Sequence, residues 1–457
     1  MNHTPEQHQG SAMNRAEMRS AFSLSGVYAL RMLGLFMILP VFALYAGELQ
    51  GVTPALTGLA IGAYGVTQAL LQIPAGLLSD RIGRKPVIIG GLLVFALGSV
   101  VAAQAESIYV VILGRALQGA GAIAAAIMAL VADLTREEHR IKAMALIGMS
   151  IGLSFALALI LGPVLDRWVG VPGIFWITAV LALAGILVVA FVVPHPPRAR
   201  MHREAEAIPA QFGRVLRNPE LLRLDFGILV LHMVLTASFV VLPLVLRDQA
   251  GLEAGRHSLV YLPVLVGSVL AMLPFILLAE RRGHIRVVFL VAIAILIVAE
   301  LGLYFVPVTV TGIVVLMFVF FTAFNLLEAM LPSLISRVAP VDCRGTAMGF
   351  YSSSQFFGAF VGGSLGGLLH GQYGMQAVFL CAALGALAWL LLALPMSQPL
   401  MLSNYIYRLD SRTPIDREAL TRQLAGQAGV AEAVVVVEEG VAYLKVDRRV
   451  FDVSALP

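Results

Sequence analysis

Over most of this chain the apolar positions neither alternate nor form a stripe; they fill long runs interrupted by short polar breaks. Twelve runs are read, at 21–46, 55–79, 87–105, 108–132, 142–166, 173–193, 221–246, 257–279, 286–305, 310–336, 344–369 and 375–395. Each approaches the roughly 20 residues a helix needs to cross about 30 Å of hydrocarbon, where a single segment can satisfy its backbone only as a helix. The pattern predicts an all-α polytopic membrane protein with about twelve transmembrane helices in two six-helix halves.

After Pro395 the pattern changes period. Residues 402–409 alternate as a strand, Asp416–Ala425 reads as a short amphipathic helix, and Val434–Val437 and Val441–Val446 flank Glu438-Glu439-Gly440 as a hairpin. A small α/β unit of order βαββ is expected there. The division is then a terminal segment 1–20, a first half 21–193, a linker 194–220 rich in Pro, Arg and Glu, a second half 221–395 and a tail 396–457. The tail has little room for a second helix, so it is expected to be truncated or completed by a partner.

Composition strengthens the membrane reading: 59% hydrophobic residues, 13% charged and a mean hydropathy of +0.89 lie outside the range of water-soluble chains. Charge adds an orientation. Arg81, Arg84, Lys85, Arg136, Arg140, Lys142, the run from Arg198 to Arg217, and Arg281, Arg282 and Arg286 fall on one side, against Arg167, Arg247 and Arg256 on the other. The basic side is expected to be cytoplasmic and to hold both termini. The net charge of +4 is accounted for by this rim and gives no reason to expect a nucleic-acid partner. The first run is too long for a signal peptide, and no phosphate-binding Gly-rich loop with its Lys is present. Cys343 and Cys381 lack metal-ligand spacing, so neither a metal, a cofactor nor a disulfide is expected, and nothing marks an enzyme.

The charged turn between the second and third runs reads G-x-x-x-D-R-x-G-R-K from Gly76 through Asp80, Arg81, Gly83 and Arg84 to Lys85. It resembles the signature loop of major facilitator superfamily transporters. By that resemblance the loop clamps the two halves: Asp80 faces the helix N-terminus near Gly345, and Arg84 pairs with Asp133 at the end of the fourth span. The plain reading of these charges is topology alone. A weaker copy runs from Glu280 through Gly283 to His284, 200 residues on. Internal duplication of this kind suits a carrier whose site lies between its halves.

In the fourth run, Arg115, Gln118, Gly119, Gly121 and Ala122 resemble the family pattern R-x-x-Q-G-x-G-A, with Val111 where the family has leucine. An unpaired arginine in mid-membrane costs at least about 2.5–3.5 kcal/mol and should face a cavity or a partner. In proton-coupled relatives the matching arginine is associated with proton transfer. Since arginine itself does not deprotonate, it acts by tuning an acid or binding an anion. The fifth run, with Ser150, Gly152, Ser154, Gly162 and Pro163, partly resembles the Gly-Pro motif of the antiporter branch. Asp166 and Arg167 stand where that motif has a glycine pair.

Helical periodicity supplies further cavity candidates: Tyr64, Gln68 and Gln72 recur every four residues, and Asn325 and Glu328 share a face. Arg31 and His232 join them as interior polar groups, each with a satisfied interhelical hydrogen bond as the plain alternative. Glu300 is expected to reach toward the interface. The tail resembles the ferredoxin-like tail of YajR-type transporters, without the Cys pair of a metal-carrying relative in Ser411–Ile415. The expected function is proton-coupled efflux of small amphipathic or drug-like molecules across a bacterial inner membrane by alternating access. Substrate, protons, lipid and a cytoplasmic regulator of the tail are its expected partners. An uptake symporter, a uniporter, or a membrane ligand sensor signalling through the tail are the alternatives.

Overall fold

The computed structural model describes residues 13–195, 207–305, 309–397, 403–409, 416–437, 440–447 and 450–453. The long helices are α1 Arg15–Phe36, α2 Pro54–Ile82, α3 Arg84–Ala103, α4 Ile108–Ala120, α5 Ala124–Leu134, α6 Glu137–Leu187 and α7 Pro219–Leu244. They continue as α8 His257–Arg282, α9 Ile285–Phe305, α10 Val310–Val338, α11 Arg344–Tyr373 and α12 Met375–Ala393.

Among the described residues nine helices are long and apolar enough to span a membrane, and the difference from twelve has a physical origin. One of them, residues 142–192, has 51 residues and, at about 1.5 Å per residue, twice the length a bilayer needs. It is kinked at Gly170, whose φ of 66° breaks it into two crossings. α1 and α11 fall short on composition because they carry Arg31 in one and many Gly, Ser and Gln residues in the other.

Helix boundaries follow local chemistry. Asn14 caps α1 and exchanges hydrogen bonds with Glu17 in a capping box, Thr53 caps α2 with Pro54 at its first position, and Asn218 does the same before Pro219 of α7. Gly83 (φ 100°) alone separates α2 from α3, and Gly374 (φ 87°) alone separates α11 from α12. The expected first span, 21–46, is corrected: α1 ends at Phe36 and the chain turns through residues 37–41 before a short helix at Phe42–Tyr45. Pro40 lies in that turn, with no N–H to continue the helix. The fourth span also divides, at residues 121–123 between α4 and α5.

The halves meet closely along α2 and α11. A Cβ on Gly58 would lie 2.1 Å from the Gly363 carbonyl oxygen, so only glycine allows these backbones to touch. Pro54 and Gly371 close the same seam at the end opposite the basic loops.

The tail forms a three-stranded antiparallel sheet of β1 Ser403–Arg408, β2 Val430–Val436 and β3 Val441–Val446 in the order β1-β3-β2. Helix α13, Arg417–Ala425, packs on β2 around Leu424, Val435, Ala442 and Leu444. The βαββ order is as expected, but β2 begins at Val430, four residues earlier than the valine run suggested. Strands β2 and β3 lie against the turn Val341–Cys343 between α10 and α11. Buried Lys445 on β3 donates to the Ala339 carbonyl at 2.5 Å and pairs with Glu432 at 3.3 Å. The Ser411–Ile415 loop lies outside the described residues.

Candidate functional site

The signature loop folds back on itself. Arg84, almost fully enclosed, forms an ion pair with Asp80, donates to a second carboxylate, Asp133, at 3.2 Å and donates to Ser79 Oγ at 2.8 Å. Gly83 makes this possible, since its positive φ reverses the chain between Asp80 and Arg84. Gly76 faces Ala125 of α5, where an added Cβ would lie 3.0 Å away. Lys85 donates to the Val193 carbonyl at 2.5 Å, and Arg81 is exposed. Asp80, expected to face the helix end near Gly345, hydrogen-bonds to Arg84, four residues along.

The N-terminus of α11 is held instead by residues that sequence reasoning assigned only to a linker. Arg214 pairs with Asp342 at 2.7 Å, and Gln211 donates to the Asp342 carbonyl and accepts from the Thr346 hydroxyl. The Ile208 amide donates to that same hydroxyl oxygen at 2.9 Å. The hydrogen bond and charge of Asp342 push the Arg214 guanidinium above its ordinary pKa. A second bridge at this end joins α1 to the start of α6. Arg136 donates to both oxygens of Glu17 at 2.8 and 3.0 Å, and chiefly this hydrogen bonding holds the carboxyl down to about 2.

Inside the first half a neutral network surrounds two cations. Arg31 Nη2 donates to Gln68 Oε1 at 2.7 Å and to the Gly121 carbonyl at 3.1 Å, an oxygen available because the helix is unwound at that point. Tyr64 donates to the same Gln68 oxygen, and Gln68 passes a hydrogen bond to Gln72 at 3.1 Å. Arg115 donates to Gln118 Oε1 at 2.7 Å and lies 3.4 Å from the carbonyls of Ala60 and Ile61; Gln118 continues to Ser99. The Tyr64 ring lies between the guanidiniums, 5.6 Å from that of Arg31 and 5.4 Å from that of Arg115.

The second half contributes an acid. Gln355 of α11 donates to Glu328 Oε1 at 3.1 Å and sits 2.8 Å from His232 Nε2, which is 3.9 Å from the other Glu328 oxygen. Glu328 keeps 35% of its side chain accessible despite its place in mid-helix, so it borders open space. Gln355 was missed by the sequence reading; a glutamine in mid-helix among the glycines and serines of α11 was the available signal. Aromatic rings bridge the halves: Phe36 meets Phe155 at 5.1 Å, Phe155 stacks on Phe324 at 6.2 Å, and Tyr64 meets Phe356 at 5.9 Å.

Three expectations are corrected here. Ser154 lies against the carbonyls of Ala29 and Ser150, so it ties α6 to α1 instead of facing a cavity. Asn325 turns to Ser268 of α8 at 3.1 Å and so parts from Glu328. Three residues advance a helix by about 300°, enough for two neighbours of one face to choose different partners. Glu300 does not reach outward; it is fully buried and accepts from Ser238 of α7 at 3.0 Å. In the second signature copy Gly283 repeats the left-handed turn with φ 69°, while the side chains of residues 280–282 lie outside the described set.

Two helical halves joined at a glycine seam, with buried charged side chains in each, have the architecture of a membrane carrier. Residues 24–362 and 259–404 match the Major Facilitator Superfamily, and the chain belongs to that family. It is a membrane transporter, not an enzyme. It is 47% identical over 438 residues to the inner membrane transport protein YajR of Escherichia coli strain K12, covering 96% of each chain. Identity to the multidrug resistance protein MdtH of Aeromonas salmonicida is 26%, over 74% of this chain and 84% of that one. Among solved structures, a bacterial homologue of the human lysosomal transporter Spinster aligns with a TM-score of 0.68 at 14% identity, over 84% of this chain and 97% of that one.

Proposed function

We propose that this transporter exports small amphipathic or drug-like molecules in exchange for protons across a bacterial inner membrane, with both termini cytoplasmic. The observation that carries the reading is Glu328. A carboxyl in mid-membrane, bonded to neutral Gln355, close to His232 and, among the described residues, in ion-pair contact with no arginine, is built to change protonation state as its surroundings open and close. The aromatic bridge of Phe36, Phe155 and Phe324 beside it suits a partly apolar cargo. The names of the E. coli and Aeromonas relatives support the membrane and the cargo class. In this reading Arg84, Asp80 and Asp133 clamp the first half at its cytoplasmic end, and 21–193 and 221–395 act as the rocking units.

Reconstituted vesicles with an imposed pH gradient test the proposal. Glu328→Gln should abolish gradient-driven substrate flux and the accompanying proton movement while leaving substrate exchange intact. Normal coupled proton flux in that variant would place the proton site elsewhere. Lys445 seated at the α10–α11 turn favours a second reading, in which the bundle is a ligand sensor read out by its tail. Tail-dependent capture of a partner without flux of any solute would favour that reading.

A further inference from the structure

Two buried cations of the first half, Arg31 and Arg115, have no carboxylate partner among the described residues. Arg31 is wholly buried and Arg115 nearly so, yet each hydrogen bond they donate goes to a glutamine or a backbone carbonyl. Among the described residues no carboxylate lies in ion-pair contact with either. Arg31 goes further: its Nε and Nη1 atoms, both shielded from solvent, have no hydrogen-bond partner. Its guanidinium is framed by the rings of Tyr64 and Phe95, 5.6 and 5.3 Å away. Those rings fix its plane and offer some cation–π attraction, but they cannot accept a directed N–H bond as a carboxylate can.

A buried guanidinium kept for structure alone is normally matched by a resident acid, as Arg84 is by Asp80 and Asp133 in this same molecule. Arg31 and Arg115 are arranged differently. Their fixed dipoles hold two positive charges about one aromatic ring and leave part of one fork unused. Tyr64, which touches both guanidiniums, also touches Phe356 of the opposite half, so an apolar surface starts where the charge ends.

We propose that Arg31, supported by Arg115 across Tyr64, is the head-group subsite for an organic anion: a carboxylate or sulfonate on an aromatic body. The inference rests on the central site being the substrate site, and it names the class of substrate. The anion accepts from one of the two unpartnered groups of Arg31, Nε–H or Nη1–H, when the halves part, and its ring system lies along Tyr64 and Phe356. The resident hydrogen bonds from Arg31 to Gln68 and Gly121 need not break, so the fork is oriented before the ligand arrives.

The test is equilibrium binding to the purified full-length chain in lipid nanodiscs, without any gradient. Three probes share one ring system: 1-naphthalenesulfonate, neutral 1-naphthol and 1-naphthylmethylammonium. The sulfonate should bind at least about tenfold more tightly than either of the others. Arg31→Gln should remove that advantage and leave naphthol binding unchanged, and Arg31→Lys should recover only part of it. Equal or tighter binding of the ammonium or the naphthol by the unaltered chain overturns the proposal, as does failure of the sulfonate to bind at millimolar concentration. Undiminished sulfonate binding by Arg31→Gln overturns it too. If the variants do not fold, the order of the three affinities on the unaltered chain is decisive by itself. Since no proton flux is measured, loss of the coupled-export reading would leave this result standing, and the reverse.

Discussion

Glu17 shows how much one side chain can join. It caps its own helix with Asn14 and accepts from the Arg136 backbone and guanidinium, fastening α1 to the start of α6. Because Arg136 holds its pKa down to about 2 from 4.5, the contribution to stability is complete above pH 4.5 and is lost as pH falls toward 2. Arg136 is half exposed, so we expect about 1 kcal/mol and no more. Thermal unfolding of Glu17→Gln in detergent should start below the parent at neutral pH, with the gap closing between pH 4.5 and 2. A gap that is unchanged across that range would remove Arg136 as its cause. The pairing was not read from the sequence, where Arg136 counted only toward orientation, since a glutamate at residue 17 and an arginine at residue 136 have no periodic relation. Arg115 and Arg31 stood out for the opposite reason: a charge inside an apolar run is rare enough to be noticed alone.

Helices were legible because lipid allows a single backbone solution; the interruptions were less so. The unwinding at residues 121–123 lies within a stretch read as one span, and only the packing of Gly121 against Gly91 and the claim of Arg31 on its carbonyl explain it. The tail's strands were visible by alternation, whereas its seat on the bundle depends on Lys445, which reads in sequence as one more exposed strand lysine. That seat makes a local prediction. Cys343 lies buried in the turn that β2 and β3 cover, and burial pushes its thiol up to about 11. In a Cys381→Ser background, Cys343 should therefore resist a water-soluble maleimide at neutral pH. Lys445→Ala should raise the labelling rate several-fold. If the rate does not change, the turn is covered by something other than the Lys445 contact.

For the molecule entire, the seam between α2 and α11 fixes one arrangement of the halves, with the end opposite the basic loops shut. The Cβ positions of residues 54 and 371 are 3.4 Å apart, close to the separation of about 3.5–4.5 Å that a disulfide spans. Pro54→Cys with Gly371→Cys should cross-link under oxidation, stop transport, and recover on reduction. Transport undisturbed by a complete cross-link would mean that this end never opens. The sequence carried the duplication and the glycines but not their pairing, because a G-x-x-x-G run does not say which neighbour it will meet.

The grip of Lys445 on the Ala339 carbonyl has a consequence of a thermodynamic kind. Two bodies in contact through a turn that begins a moving helix are linked equilibria, and linkage is reciprocal. If loading the bundle with cargo changes how firmly β3 holds that carbonyl, then whatever binds the tail must change cargo affinity by the same factor and in the same sense. The tail can then serve as a gauge of occupancy only to the degree that it is also a brake or an accelerator on it.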